Sequence, residues 1–207
     1  MYVPAHFAMP DDEVLALLAA PIAGDLVTWS ADHGLDATVV PFVHEPAAEG
    51  WGSLHGHLAR ANPQWRLAPS TAMVILRGPD GYVSPSWYAT KREHGRVVPT
   101  WDYVVVNVHG ELVIHDDPEH LRSLVARLTD RHESGRAAPW SVADAPADFV
   151  DKQLRAIVGI ELRISRIEAK AKLSQNRSVA DVDGVVAGLH EAGQPALARA
   201  VDGARPA

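Results

Sequence analysis

Residues Asp25–Val43 read DLVTWSADHGLDATVVPFV, and this stretch decides the class of fold. Two runs rich in β-branched and aromatic residues, DLVTWS (Asp25–Ser30) and LDATVVPFV (Leu35–Val43), flank Asp32-His33-Gly34. A polar, glycine-containing break between two such runs predicts a β-hairpin with a short turn. Pro41 has no amide hydrogen to give to a ladder. Within the second strand it marks an edge, a bulge or a place where a ligand approaches the backbone.

The same pattern continues outward from the hairpin. SLHGHLAR (Ser53–Arg60) is a third strand, ended by Asn62-Pro63. TAMVILRG and GYVSPSW predict a second hairpin across Gly78-Pro79-Asp80-Gly81, and YVVVNVHG with ELVIHD a third, turning at Gly110-Glu111. Val104–Val106 is continuously apolar, as expected of a strand buried on both faces or covering a dimer contact. IELRIS alternates Ile160, Leu162 and Ile164 with polar residues, the period of a half-exposed strand. About seven strands with short connections favour antiparallel pairing, and closing the sheet removes its exposed edges. The expected class is mainly β (α+β), an antiparallel barrel with peripheral helices.

Four regions carry helical period. A first helix starts after Pro10 and stops at Pro21. Asp117 caps a second, with Pro118 in its first turn and a stripe of Leu121, Leu124, Val125 and Leu128. A third runs from Asp144 and Pro146 through Val150, Leu154, Ile157 and Val158 to Gly159. One or two short helices follow from about residue 178, around Gly193 and Pro195. Without a repeat or a linker, residues 1–207 are expected to form a single domain.

Bulk properties exclude several classes. The 207 residues are 47% hydrophobic and 22% charged, ordinary for a folded chain. No cysteine is present, so disulfides, thiolate metal sites and thiol nucleophiles are ruled out. The net charge of -7 argues against a surface that coats phosphates broadly. The start, MYVPAHFAMPDDE, has neither the basic residues nor the apolar run of a signal peptide, so the expected compartment is cytoplasmic.

Chemistry concentrates in three segments. SPSWYATKREHGRVVPTWDY (Ser84–Tyr103) crowds Trp87, Tyr88, Trp101 and Tyr103 against Ser84, Ser86, Lys91, Arg92, His94 and Thr100. Aromatic planes beside hydroxyls and fixed cations suit a flat, anionic ligand; a strand pair with a polar rim is the plain alternative. In LHGHLARANPQW (Leu54–Trp65), His55 and His57 share one strand face, with Arg60 and Asn62 at the strand end. Two histidines so placed are metal-ligand types, with His109 or His115 as a third, but no further ligand sits at a diagnostic spacing and no metal is assigned. Arg60 is the residue type that grips a phosphate with two parallel hydrogen bonds, and is otherwise an exposed arginine at a strand end. KLSQNR (Lys172–Arg177) either caps the next helix or closes Lys172, Gln175, Asn176 and Arg177 over a ligand or a neighbouring subunit. No glycine-rich phosphate loop, nucleophile elbow or helix-turn-helix is present, so any chemistry falls to a bound cofactor.

Together these segments resemble the PaiB family of FMN-binding negative transcriptional regulators. The resemblance is carried by MYVPAHF, LHGHLARANPQW, SPSWY followed by VPTWDY, and AIVGIEL followed by KLSQNR, in this order over nearly the whole chain. It implies an FMN-binding split barrel related to pyridoxamine phosphate oxidase, assembled as a homodimer with flavin at the subunit interface. It also implies residue roles. The strand Ala37, Thr38, Val39, Val40, Pro41 would lie along the flavin ring, with Ala37 permitting close approach. Arg60 and Asn62 would sit near the phosphate, and Ser84, Ser86 and Trp87 near the ring or ribityl chain. Gln175, Asn176 and Arg177 would arrive from the second subunit. His57, Lys91, Thr100 and Trp101 complete the expected cofactor-binding set. A regulator implies contact with DNA or with a DNA-binding partner, and the alternative activity for such a barrel is that of a flavin-dependent oxidoreductase or flavin reductase.

Overall fold

The computed structural model describes residues 1–20 and 22–205; Pro21, the expected stop of the first helix, lies outside them. Six strands form one closed barrel in the order β1-β2-β3-β6-β5-β4. They are β1 Ile22–Ser30, β2 Gly34–Glu45, β3 Ser53–Ala59, β4 Ser70–Val83, β5 Thr100–His115 and β6 Ile157–Lys172. The mainly antiparallel barrel with peripheral helices is the fold the sequence predicts. By contacts the chain divides into two compact units. One comprises Met1–Pro10, Arg77–Val106 and Glu168–Ala207, and the other Asp11–Leu76 and Asn107–Ile167.

The larger unit contains the predicted first hairpin. β1 and β2 pair antiparallel from Ile22↔Phe42 to Ser30↔Gly34. Leu26, Thr28, Val40 and Phe42 point inward and are buried, while Trp29, Leu35, Ala37, Val39 and Pro41 face outward. Gln64, buried in the 3₁₀ turn Pro63–Leu67, locks this hairpin. Its Nε2 donates to the Leu26 carbonyl (3.1 Å), to Thr28 Oγ1 (3.0 Å) and to the Asp36 carbonyl (3.4 Å). The helix α1 (Asp11–Ala19) buries Val14 and Leu18. Asp117 caps α3 (Pro118–Glu133) by accepting from the His120 amide, and the helix buries the expected Leu121, Leu124 and Leu128.

In the smaller unit the ends of β4, β5 and β6 accompany α2 (Thr90–His94), α5 (Val179–Glu191) and α6 (Pro195–Gly203). Val83, Tyr88, Leu173, Val182, Val185, Leu189, Leu197 and Val201 form its core. Trp87 packs flat into α5, where a Cβ at Gly184 would strike its carbonyl and one at Gly188 its indole ring.

Three local expectations are corrected. Gly78-Pro79-Asp80-Gly81 is no turn but the middle of the continuous strand β4, and Gly110-Glu111 likewise lies within β5. These glycines serve close approach instead. A Cβ at Gly78 would press on Val104, one at Gly81 on Gln194 and Leu197, and one at Gly110 on the Arg163 carbonyl. Two long strands therefore replace two hairpins, and the sheet has six strands. The third predicted helix is α4, Ala147–Leu154, and ends before Ile157, Val158 and Gly159, which begin β6. Buried on both sides, those apolar residues fit either period, and pairing of Ala59↔Ile157 and His57↔Gly159 selects the strand.

Candidate functional site

Strand alternation sorts the stretch Ala37–Pro41. Val40 is buried in the barrel and offers a ligand only its backbone, whereas Ala37, Val39 and Pro41 face outward. Thr38 is half-buried, and Asn62 Nδ2 donates to its Oγ1 at 3.0 Å, so two expected site residues do meet. Pro41 pairs opposite Ala23 on β1, while β3 pairs with β2 only from Val43 to Glu45. The proline thus sits where β2 has left β3, the edge-like position its missing N–H suggests.

Arg60 is not a loose strand-end arginine. Both terminal nitrogens bond the Asp116 carboxylate, Nε donates to the Arg155 carbonyl (2.9 Å), and one terminal nitrogen also reaches the Ile157 carbonyl (2.9 Å). The hydrogen bonds from Arg60 hold the Asp116 carboxyl below the usual range. The fork that would grip a phosphate is already filled by protein oxygens.

Histidines cluster on the same unit. His55 is buried, with Nε2 2.8 Å from Ser53 Oγ and 3.4 Å from Glu45. His115 contacts Glu161 at 2.8 Å and stacks on His120, ring centroids 4.2 Å apart. Burial lowers the basicity of His55, His57 and His120. Burial opposes ionisation of Glu161, yet hydrogen bonds from His115 and Arg163 hold its carboxyl below the ordinary value. Among the described residues no group of three histidine or carboxylate side chains is arranged to hold a metal ion.

The smaller unit presents a second constellation. Lys172 Nζ donates to Thr100 Oγ1 (2.6 Å), the Trp101 carbonyl (2.7 Å) and Asp102 Oδ1 (3.0 Å). Ser174 Oγ donates to the other carboxylate oxygen of Asp102 at 2.6 Å. Gln175 is drawn inward, accepting from the Leu173 amide and donating to the Ala171 carbonyl. The Arg177 guanidinium lies over the Tyr88 ring, 4.7 Å from its centroid, while Asn176 is exposed. Trp101 is exposed, with Nε1 donating to Asp80 at 2.8 Å. The exposed Lys91 reaches Ser86 Oγ at 3.0 Å, and the Ser86 amide donates to Ser84 Oγ. This last group keeps an exposed cation beside hydroxyls, the donor set a phosphate monoester needs. Trp87 is committed to α5. Asp102, Asp116 and Gln64 organise these networks and were missed by sequence reasoning. Asp102 had a signal: it is the acidic, inward-facing position between Trp101 and Tyr103 in VPTWDY.

Residues 1–166 match the model of a family described as "Putative FMN-binding domain". The chain belongs to this family. Its cofactor is FMN, and the exposed Lys91 beside Ser86 Oγ is of the chemistry that a phosphate needs. The "Protease synthase and sporulation protein PAI 2" of Bacillus subtilis (strain 168) is 30% identical over 198 residues, covering 94% of this chain and 92% of its own. The fold is shared with solved structures of low identity. The conserved hypothetical protein Rv2991 of Mycobacterium tuberculosis superposes with a TM-score of 0.60 at 15% identity, covering 86% of this chain and 94% of that one. The FAD and heme binding protein of Mycobacterium smegmatis gives 0.58 at 17% identity, covering 86% and 78%. Among the described residues no helix is long and apolar enough to cross a membrane.

Proposed function

We propose that the chain is a homodimeric, FMN-binding negative transcriptional regulator of the PaiB type, with flavin held where two copies meet. The outward face of the β1–β2 hairpin supports this most. Trp29 is opposite Leu35, Asp25 opposite Val39 and Ala23 opposite Pro41, so these side chains line one face. Leu35 is 76% exposed, Val39 69% and Trp29 62%. An apolar stripe of this kind on a sheet is a surface for a partner. A second copy brings the same stripe, and two-fold pairing covers both at once. A flavin ring laid against Ala37–Pro41 meets a small side chain, a proline and free strand edge. The smaller unit, taken by itself, keeps the polar or aromatic side chains of Ser86, Lys91, Trp101 and Asn176 exposed.

Charge bears on how repression would work. Of the 26 acidic and 19 basic residues, 8 and 9 lie in the smaller unit, leaving 18 and 10 in the larger. The larger unit therefore repels DNA phosphates, and the reading favours action through a DNA-binding partner over direct operator binding. The test is a pair of aspartates on the stripe, Leu35→Asp and Val39→Asp, examined by light scattering and flavin absorption. Dimer mass and bound FMN should be lost together. A flavin-loaded monomer, or a dimer indifferent to both changes, would defeat the reading. Sustained NAD(P)H oxidation by the loaded protein would favour the oxidoreductase alternative.

A further inference from the structure

A cavity of about 310 Å³ lies in the larger unit, away from the outward face of β1 and β2. Its wall comes from β3 (His57), α3 (Val125), the segment before α4 (Trp140, Val142, Ala145), α4 itself (Phe149, Val150, Gln153, Leu154), the turn after it (Ala156) and the first residue of β6 (Ile157). No aspartate, glutamate, lysine or arginine lines it. Its floor is the small cluster of Val150 and Leu154, with Val125, Val142, Ala145 and Ile157 packed on it. At the rim Trp140 and Phe149 are 48% and 53% exposed. Large aromatics at that exposure are costly to leave in water unless something covers them.

The rim is also held in place. The Trp140 amide donates to Glu133 Oε2 at 3.1 Å, and the Ser141 amide donates to Asp144 Oδ2 at 2.8 Å in a capping box. The backbone at Trp140 is therefore held from both sides. His57 and Gln153 supply the polar elements. Burial lowers the basicity of His57, so near neutral pH its ring is an uncharged imidazole. A mainly apolar hollow with aromatic walls, a neutral imidazole and an amide side chain is the make-up of a small-molecule pocket. A phosphate would find no cation there.

We infer that this cavity is a second ligand site, selective for an uncharged aromatic or heteroaromatic small molecule carrying one N–H or O–H group, clasped between Trp140 and Phe149 and oriented by His57. The inference rests on the reading that flavin lies along the outward β1–β2 face, because His57 is also among the residues expected to bind it. A planar ring suits the two aromatic walls, and the absence of charged lining residues excludes ionic ligands of the same shape.

The test is saturation-transfer NMR and calorimetry on the full chain, with indole as the uncharged probe and naphthalene-2-sulfonate as the anionic one. Saturable indole binding, weak or absent binding of the sulfonate, and an affinity lowered about tenfold or more by Trp140→Ala or Phe149→Ala are expected. Both rim residues are exposed, so each variant should fold, which circular dichroism checks. His57→Phe should lower discrimination between indole and naphthalene. Equal binding of both probes, or indole binding untouched by the rim variants, would overturn the site. So would a concentration-dependent self-association abolished by Trp140→Ala, which would make the rim a contact between copies.

Discussion

Ser174 donates a 2.6 Å hydrogen bond from Oγ to Oδ2 of Asp102, a carboxylate with no solvent exposure. The other oxygen of that carboxylate takes Lys172 Nζ at 3.0 Å. Ser174 also has a left-handed backbone, φ 63°, in the turn that follows β6. A serine held there brings its hydroxyl back onto β5, so the KLSQNR turn and the VPTWDY strand are joined through a buried charge. Removing the hydroxyl leaves that charge one partner short. Ser174→Ala should cost about 1–3 kcal/mol of stability by urea denaturation. Ser174→Gly should cost less, because glycine accepts the backbone that alanine must strain to adopt. Equal stability of wild type and Ser174→Ala would show that the bond is unimportant.

Gly188 lies mid-helix in α5, where alanine would ordinarily stabilise by about 1 kcal/mol. Here the added methyl meets the Trp87 ring. Gly188→Ala should therefore destabilise, by about 1–3 kcal/mol from overpacking. Trp87→Leu in the same chain should restore part of the loss by vacating the space. A stabilised Gly188→Ala protein would mean that the indole has room to move.

The Arg60 clamp predicts a separation of stability from cofactor affinity. Asp116→Asn removes the charged half of the pair and should lower the thermal midpoint, as should Arg60→Lys, which cannot reproduce the fork. FMN affinity by fluorescence titration should change little in Asp116→Asn. A loss of FMN binding in Arg60→Lys without any loss of stability would return Arg60 to the phosphate.

Acid should weaken the fold in two stages. Burial holds His55, His57 and His120 below their ordinary value of 6.5. As pH falls past that value the unfolded chain takes up protons first, so the stability present above it is lost as pH descends through the folded values. Glu45 and Glu161 sit below 4.5, so their contribution is lost only in stronger acid. Thermal midpoints measured from about pH 8 to about pH 5 should drop, and His55→Gln should flatten part of the drop. A midpoint that holds level or rises over this range would contradict the buried neutral histidines.

Much of the barrel was legible because hydrophobic alternation in DLVTWS and LDATVVPFV reports directly on which face of a strand is buried. The capped helix after Asp117 was legible for the same reason, its stripe being set by local period. What escaped was the use of glycine. Gly78, Gly81 and Gly110 look like turns locally, but their missing side chains admit Val104, Leu197 and the Arg163 carbonyl, neighbours distant in sequence. The site was legible as segments and not as roles. Asn62 and Thr38 do meet, yet Arg60 is consumed by Asp116 and Trp87 by α5, partners that only tertiary contact supplies.

Sedimentation of the FMN-loaded protein, followed at once in the flavin's visible band and in the protein's ultraviolet band, tests the central claim most directly. The visible band should travel with a species of twice the 22.3 kDa chain mass, at one flavin per chain. Flavin that stays behind at the meniscus while the protein sediments, or that travels with a single chain, would contradict it.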